Sequence, residues 1–244
     1  MSDLVGPSRT GYVRSLFSRI AQQYDLLNRL MTLGQDSVWR RQTIRMLALA
    51  AGHRTLDLGA GTGDLAAEVL RQQPLGRVIA VDITPEMIQV GKHKHPSPKI
   101  DWVIANAAEL PFAPQTFNGV VSGFLLRNID PIDKNLIEQS RVLAPGGVWT
   151  ALDTTRPKKN LIRPFLSVYL NVIIPWLGRI VARQPEAYTY LPESTWAFLS
   201  AEELAQKVEE TGFTQVGFVR RMLGTIAIHR AFAPHAKPDK IAGD

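Results

Sequence analysis

Three glycines at alternating positions constrain this chain more than any other feature. Residues 54–58 form a short apolar run and a helical pattern begins at Asp64, so Gly59, Gly61 and Gly63 lie on the turn between them. Glycine lacks a Cβ and tolerates positive φ, which lets such a turn approach a bound nucleoside closely. The next apolar run ends in Asp82, at about the 20-residue offset from which an acid binds ribose hydroxyls. Together these features predict a nucleoside-containing ligand.

Strand-like and helix-like segments alternate after this turn. The sequence predicts strands at 54–58, 77–83, 99–105, 118–124 and 148–154, with helices at 64–72, 85–94 and 131–144. Pro145, Gly146 and Gly147 are expected to close the last of these helices. A further helix (200–213) and two strands (214–221 and 224–232) follow. We therefore expect an α/β, Rossmann-like fold of the class I methyltransferase type, with a mostly parallel seven-stranded sheet and a C-terminal antiparallel hairpin.

The chain divides into five predicted units. They are an N-terminal helical substrate cap (1–50), the cofactor-binding core (51–155), an apolar and basic helical insertion acting as a lid or membrane contact (156–199), a C-terminal helix and hairpin completing the core (200–233) and a tail expected to be disordered (234–244).

Composition narrows the environment. The absence of cysteine excludes disulfides, thiolate metal sites and thiol catalysis, and no metal site is expected. The N-terminus lacks a hydrophobic signal core, which favours a cytoplasmic protein. The net charge of +6 points to an anionic neighbour. From Arg156 to Pro185, six cations alternate with aliphatic and aromatic residues and no acid, which suits an anionic lipid surface on the inner face of the membrane better than nucleic acid. A homodimer is left open.

The spacing of the glycines identifies the cofactor class. The loop reads G-x-G-x-G and not the dinucleotide pattern G-x-G-x-x-G, and it looks like motif I of the methyltransferases that use S-adenosylmethionine (SAM). Asp57 is predicted to hold loop amides or the cofactor ammonium. Met87 is a candidate for the adenine face, although a core methionine is equally expected. The candidate cofactor residues are Asp57, Gly59, Gly61, Thr62, Gly63, Asp82, Ile83, Met87, Asn106 and Ala107.

Four residues are candidates for catalysis. Arg127 and Asn128 follow the fourth strand, and Asp153 ends the fifth, so all three are expected at the ligand edge of the sheet. His229 lies within the last strand among apolar residues, where a buried core histidine is the more common outcome.

Three longer segments resemble the UbiE/MenG/COQ5 family of quinone-biosynthesis C-methyltransferases. They are FSRIAQQYDLLNRLMTLGQDSVWRR, LLRNIDPIDKNLIEQSRVLAPGG and YLPESTWAFLSAEELAQKVEETGF with the later IAIH strand, and the match runs over roughly residues 10–232. The resemblance implies SAM as cofactor and a prenylated quinol, demethylmenaquinol or a benzoquinol, as substrate. Carried over by position, it assigns cofactor contacts to Thr62, Asp82, Asn106 and Ala107, the catalytic pair to Arg127 and Asn128, and the N-terminal motif to Tyr24, Asp25 and Asn28.

Several positions depart from the family pattern near the expected substrate pocket. Asp36 stands where His is usual, Asp153 where Glu is usual, and Gly123 where a cofactor-edge serine is common. The segment Leu223–Thr225 replaces a pair of glycines, and Thr154 and Thr155 also differ. The predicted substrate-binding residues are Tyr24, Asn28 and Asp36.

The resemblance and the site residues together suggest how transfer proceeds. Ionising one quinol hydroxyl makes the ortho carbon nucleophilic, and Arg127 is expected to stabilise the phenolate. Because an arginine remains protonated, Asp153, His229 or a water is the better candidate for the base. Two alternatives stay open: another lipophilic or phenolic acceptor, and a non-catalytic SAM-binding scaffold of a quinone-synthesis complex. Methylation of RNA is disfavoured, because the sequence shows no RNA-binding module and no stacking aromatics clustered with its basic residues, and no nucleic-acid partner is expected.

Overall fold

The computed structural model describes residues 6–156, 190 and 193–235. Its helices are α1 (Gly6–Ile20), α2 (Tyr24–Met31), α3 (Asp36–Leu47), α4 (Asp64–Gln72), α5 (Pro85–Lys94), α6 (Ile132–Val142) and α7 (Ala201–Glu210). Its strands are β1 (Arg54–Leu58), β2 (Arg77–Asp82), β3 (Ile100–Ile104), β4 (Phe117–Gly123), β5 (Leu143–Thr154), β6 (Thr214–Arg221) and β7 (Ile226–Phe232). Most of the predicted insertion 156–199, and the tail from residue 236, lie outside the described residues.

The strands form one sheet in the order β3-β2-β1-β4-β5-β7-β6. Strands β1 to β5 pair in parallel, while β7 runs antiparallel to both β5 and β6. The strand order reverses at β1, so the carboxyl ends of β1 and β4 flank the crevice where doubly wound sheets bind ligands. The predicted fold class is confirmed.

The core lies on both faces of the sheet. On one face α6 and α7 pack Leu136, Val142 and Leu204 against the central strands. On the other, α3 and α4 contribute Ile44, Leu47 and the apolar side of the helix that follows the glycine turn. Helix α7 begins with a capping box, in which Ser200 accepts from the Glu203 N–H and the Glu203 carboxylate accepts from the Ser200 N–H.

Strand β5 begins earlier than the sequence predicts. We expected Pro145, Gly146 and Gly147 to close the preceding helix, but α6 ends at Val142 and these residues lie inside β5. The pairing of β4 with β5 shifts register between Phe117 and Gly119. Gly146 has a φ of +70° there, a backbone conformation that glycine adopts readily because it has no Cβ. A proline-glycine sequence therefore marks an irregular strand here and not a turn.

The predicted N-terminal cap divides in two. Helices α1 and α2 form a small apolar cluster through Leu16, Ile20 and Leu27, and Tyr190 and Trp196 also pack in it. Helix α3 instead belongs to the main core, where Trp39 packs with residues of β5 and β7. Of the predicted cap, α1 and α2 thus belong to a cluster separate from the main core, whereas α3 belongs to that core.

No helix in the described part of the chain is long and apolar enough to cross a membrane.

Candidate active site

A cavity of about 400 Å³ opens at the carboxyl ends of β1, β2, β3 and β4. The sheet edge forms its floor, and α1 and α2 cover it with Thr10, Val13, Phe17 and Tyr24. A mixed wall of this kind, with few polar groups among apolar ones, is typical of small-molecule sites.

The glycine turn forms one side of the cavity through Gly59 and Gly61. All three turn glycines have positive φ, and Gly63 precedes the first residue of α4. A Cβ on Gly59 would lie 2.6 Å from Leu125, and one on Gly63 would lie 2.5 Å from Trp102. Glycine is therefore required by packing as well as by backbone conformation, although Gly63 itself does not line the cavity.

Asp82 lines the cavity with its carboxylate held by backbone donors. The N–H of Gly61 donates to Oδ2 and the N–H of Thr84 donates to Oδ1, each at 2.8 Å. The Thr84 side chain and the Ile83 N–H also hydrogen bond to this carboxylate. Burial raises the pKa of Asp82, while these N–H groups act in the opposite direction.

Asp57 lies beneath the glycine turn and is fully buried. Its Oδ2 accepts from the Ala66 N–H at 2.9 Å, so it holds an amide of α4, one of its two predicted roles. Its Oδ1 has no hydrogen-bond partner in the described structure. Burial raises the pKa of Asp57 to about 7. A cationic group near Oδ1 would satisfy this atom and favour the charged form.

Residues that follow β2 and β3 form a further part of the cavity wall. Ile83 and Met87 lie on one part of the wall, and Asn106 and Ala107 on another. The Asn106 Oδ1 accepts from the Ala108 N–H at 3.0 Å, which fixes the loop that bears them. Met87 is 2% exposed and also lines the cavity.

Thr62 belongs to a charged network behind the glycine turn and does not line the cavity. Its hydroxyl donates to Asp25 at 2.6 Å, and Asp25 also pairs with Lys94. Asp64 pairs with Lys94 and with Arg40. Although burial raises the pKa of Asp64, the His95 hydrogen bond and the two cations hold it below its usual range. This network ties α2 and α3 to the turn.

Asp36 is a structural member of the same network. It is buried, accepts from the Thr32 hydroxyl at 3.1 Å and pairs with Arg40 at 3.2 Å. It does not line the cavity. Sequence reasoning gave Arg40 and Lys94 no role, because only the tertiary fold brings residues so distant in sequence beside Asp64.

Arg127 and Asp153 form a buried ion pair beside the cavity. The Arg127 Nη1 donates to Asp153 Oδ1 at 2.7 Å, and the two side chains are 4% and 2% exposed. The Arg127 guanidinium lies 5.2 Å from the ring centre of Phe124, which lines the cavity. Neither member of the pair lines the cavity, and the Arg127 Nε has no partner among the described residues.

Asn128 does line the cavity, and one distant and one neighbouring residue fix it. Its Oδ1 accepts from the Tyr190 hydroxyl at 2.9 Å, and its Nδ2 donates to the Phe124 carbonyl at 3.0 Å. Arg9 of α1 donates to the Arg127 carbonyl at 2.8 Å. The helical cover is therefore attached directly to the Arg127–Asn128 turn.

Tyr24 lines the cavity and Asn28 lies one turn of α2 below it. Burial raises the pKa of Tyr24, whereas the charge of Arg40, a hydrogen bond with Asn28 and the charge of Arg127 lower it. Asn28 is buried as well.

His229 lies away from the cavity, on the face of the sheet covered by α7. Its Nε2 lies 2.9 Å from the Ala201 carbonyl, and its ring lies 5.2 Å from that of Phe218. Burial lowers the pKa of His229 to about 4. A neutral histidine packed under a helix has no path to a ligand in this cavity.

The sequence analysis missed several cavity residues. Val13 and Phe17 of α1 belong to this wall, and so do Lys134 and Glu109, which pair at 2.9 Å at its rim. The helical spacing of apolar residues in 9–27 was the only available signal, and it does not say which side of α1 faces a ligand.

Comparison with known proteins identifies the family of this chain. The profile of the ubiE/COQ5 methyltransferase family matches residues 6–233. The chain belongs to the ubiE/COQ5 methyltransferase family. It is 44% identical over 217 residues to a protein of Desulfotalea psychrophila called ubiquinone/menaquinone biosynthesis C-methyltransferase UbiE, covering 89% of this chain and 88% of that one. It is 39% identical to a demethylmenaquinone methyltransferase of Roseiflexus castenholzii, covering 89% and 92% of the two chains. The resemblance stated from the sequence is confirmed.

Solved structures agree on the fold of this ubiE/COQ5 family member. A SAM-dependent methyltransferase from Aquifex aeolicus superposes with a TM-score of 0.60 at 16% identity, covering 86% of this chain and 97% of that one. A phosphoethanolamine N-methyltransferase of Haemonchus contortus, solved with SAM, gives 0.61 at 16% identity and covers 80% and 52%. The chain is a SAM-dependent methyltransferase. Its own residues fit that cofactor, since the unpartnered Asp57 oxygen suits an ammonium and Asp82 a ribose diol.

Proposed function

We propose that this protein transfers the methyl group of SAM to a ring carbon of a prenylated quinol, converting demethylmenaquinol to menaquinol. The observation that carries the proposal is the composition of the cavity. A wall of carboxylate, amide and glycine backbone faces an apolar wall from α1 and the loop after β4, within one volume of about 400 Å³. The names of relatives from Desulfotalea psychrophila and Roseiflexus castenholzii support a quinol acceptor.

The polar wall is the cofactor side. Asp82 would bind the ribose hydroxyls, Met87 and Ile83 would contact the adenine, and Asn106 with Ala107 would face its edge. Asp57 would meet the ammonium from beneath the glycine turn. When bound, SAM supplies a sulfonium methyl group, an electrophile that needs an aligned nucleophile more than it needs activation.

The apolar wall is the acceptor side. Val13, Phe17, Phe124, Leu125 and Ile129 lie there and suit an aromatic ring with an aliphatic tail. Tyr24 and Asn128 are the polar groups beside them, and both can hydrogen bond a quinol hydroxyl. The cover formed by α1 would exclude bulk water from this side.

Arg127 would act through its charge. It lowers the pKa values of Tyr24 and Tyr190 against the effect of burial. The same field would favour ionisation of a quinol hydroxyl held nearby, and the ionised ring carbon is the better nucleophile. Asp153 would be a positioning residue, because its carboxylate is already paired with this guanidinium.

Water would accept the proton of the quinol hydroxyl in this scheme. Asp153 is bound to Arg127, and His229 is separated from the cavity on the α7 side of the sheet. Neither of these two candidate bases lines the cavity, so a water beside Tyr24 or Asn128 is the remaining candidate named from the sequence.

Three of the departures from the family pattern give no reason to prefer another acceptor. Asp36, Asp153 and Leu223 do not line the cavity, so these substitutions leave its wall unaltered. Gly123 does line it, and a Cβ there would lie 2.8 Å from Leu65.

The test is transfer from methyl-labelled SAM to a panel of chemically reduced quinols. We expect label on demethylmenaquinol, weaker transfer to benzoquinols, and none with Asp82→Ala. SAM binding without transfer to any quinol would contradict the proposal and would favour a scaffold role. Transfer to a simple phenol in preference to both quinols would indicate a different acceptor.

A further inference from the structure

Helices α2 and α3 expose large aliphatic side chains to solvent. Leu33, in the turn between the two helices, is 75% exposed, while Leu26 and Val38 are each 54% exposed. Leu33 also has a positive φ of 52°, unusual for a residue other than glycine, which holds it at the apex of the turn. Three exposed aliphatic side chains in so short a segment form an apolar surface that the fold does not cover.

Arginines surround these side chains. Arg29 on α2 and Arg41 and Arg45 on α3 are exposed, and none forms an ion pair within the described part of the chain. Val38, Arg41 and Arg45 recur at helical spacing, so they share one side of α3. We call this surface the α2–α3 face and define it by Leu26, Arg29, Leu33, Val38, Arg41 and Arg45.

The segment that contains this face carries mostly positive charge. Residues 6–47 contain seven arginines and two aspartates, a net charge of +5 against +6 for the whole chain. Both aspartates are occupied, since Asp25 pairs with Lys94 and Asp36 with Arg40. The α2–α3 face therefore presents three arginines for which the described structure contains no ion pair, although the charge of Arg41 also acts on Glu68 of α4.

We propose that the α2–α3 face docks the protein on an anionic phospholipid bilayer. Exposed leucine and valine enter the headgroup and acyl boundary while the arginines bind lipid phosphates. The proposal rests on the proposed function, because a prenylated acceptor is stored in a bilayer. Tyr24 of the same helix lines the cavity, so the helix that docks is also part of the cavity wall.

Two other occupants fit less well. A second copy of the chain would bring one strongly positive surface against another. A nucleic acid would match the charge of this face. The aromatic residues of α2 and α3 lie elsewhere, however, since Tyr24 lines the cavity and Trp39 is in the core. They therefore offer no ring for base stacking on this face.

The test is vesicle flotation of the full chain. Vesicles of mixed phosphatidylglycerol and phosphatidylcholine are compared with phosphatidylcholine alone, at low and high salt. We expect binding to the anionic vesicles that weakens with salt. The triple variant Arg29→Gln, Arg41→Gln, Arg45→Gln should bind roughly a hundredfold more weakly, at about fivefold for each arginine removed.

A matched pair of leucine variants separates insertion from charge. Leu33→Ser leaves the charge unchanged and should weaken binding roughly tenfold through lost apolar contact. Leu75→Ser is the control, because Leu75 is similarly exposed at 71% but lies between α4 and β2, away from this face. It should bind as the unsubstituted protein does. Thermal unfolding of each variant checks that it is folded.

Activity toward a short-tailed, water-soluble quinol separates this proposal from the proposed function. We expect that activity to be the same in all the variants, since none of the substituted residues lines the cavity. Loss of vesicle binding with this activity intact supports the docking face. The proposal would be overturned if the triple variant or Leu33→Ser bound vesicles as tightly as the unsubstituted protein. It would also be overturned if single-stranded DNA displaced the unsubstituted protein and Leu33→Ser from vesicles equally well. Absence of methyl transfer in all proteins would contradict the proposed function and leave the vesicle result to be judged alone.

Discussion

The two walls of the cavity are held in place by different kinds of contact. On the cofactor side, backbone N–H groups fix the carboxylates: Ala66 donates to Asp57, and Gly61 and Thr84 donate to Asp82. On the acceptor side, side chains and carbonyls from distant segments fix each other, as Arg127 does with Asp153 and Tyr190 with Asn128. The first wall depends on a local turn, and the second depends on the assembled fold.

This difference predicts where substitutions act. Changes on the cofactor wall should alter SAM binding with modest effects elsewhere. Changes on the acceptor wall should alter folding and turnover together, because the same contacts hold the Arg127–Asn128 turn and the cover formed by α1.

Removing Arg127 should have the largest effect on stability. Arg127→Ala leaves the Asp153 carboxylate buried without its partner, and we expect the free energy of unfolding to fall by about 3–5 kcal/mol. Denaturant unfolding measures this. The control is Arg156→Ala, whose exposed pair with Glu203 should contribute about 0–1 kcal/mol.

A double variant separates the two roles of Arg127. Arg127→Met with Asp153→Leu removes both charges and should regain most of the lost stability, while turnover stays low. SAM affinity of the folded protein should be unchanged in both variants. Normal turnover in the double variant would show that the ion pair is structural only.

Removing Asp82 should have the next largest effect. Asp82→Ala eliminates two charged hydrogen bonds to the ribose, so SAM affinity should fall at least roughly a hundredfold, equivalent to about 2.7 kcal/mol. Titration calorimetry measures it, with Asp101→Ala on the neighbouring strand as control, since that side chain is half exposed and pairs with Arg77. Equal affinities for the two variants would refute the assignment of the polar wall.

Asp57 should make the ligand-free protein less stable as pH rises. Its pKa is raised to about 7 when folded, so the unfolded chain releases this proton more readily and stability falls as the pH rises from the unfolded pKa toward 7. Asp57→Asn resembles the protonated form. Between pH 5 and 7 the unsubstituted protein should lose about 2 kcal/mol relative to it. Parallel stability curves for the two proteins would refute the raised pKa.

His229 should have a smaller effect of the opposite sign. Its pKa is lowered to about 4 when folded, so stability is full at neutral pH and declines as the pH falls from the unfolded pKa toward 4. His229→Gln retains a donor for the Ala201 carbonyl without titrating. From pH 6.5 to 5.5 the unsubstituted protein should lose about 1 kcal/mol relative to that variant. Methyl transfer by His229→Gln at neutral pH should be normal, and a loss of turnover there would return His229 to the list of bases.

The sequence predicts the sheet well because its signals are local. The strand-turn-helix at 54–72, the acid ending β2 and the Ser200 cap each depend on neighbouring residues. The predicted start of β5 was wrong because Pro145 and the two glycines after it resemble a turn. Only the pairing of this segment with β4 reveals an irregular strand.

Much of the site could not be predicted, because its contacts join distant residues. Arg9 and Arg127 are 118 residues apart, and Tyr190 and Asn128 are 62 apart. Alternation identified Asp153 and Arg127 as residues of one sheet edge but not as an ion pair. Similarly, the position of His229 on a strand did not reveal that α7 covers it.

The most direct measurement of the central claim is the position of the new methyl group. After reaction of demethylmenaquinol with SAM carrying a ¹³C methyl group, the product is examined by carbon NMR. A carbon-bound methyl on the quinol ring is the predicted result. An oxygen-bound methyl, or no labelled quinol at all, would contradict it.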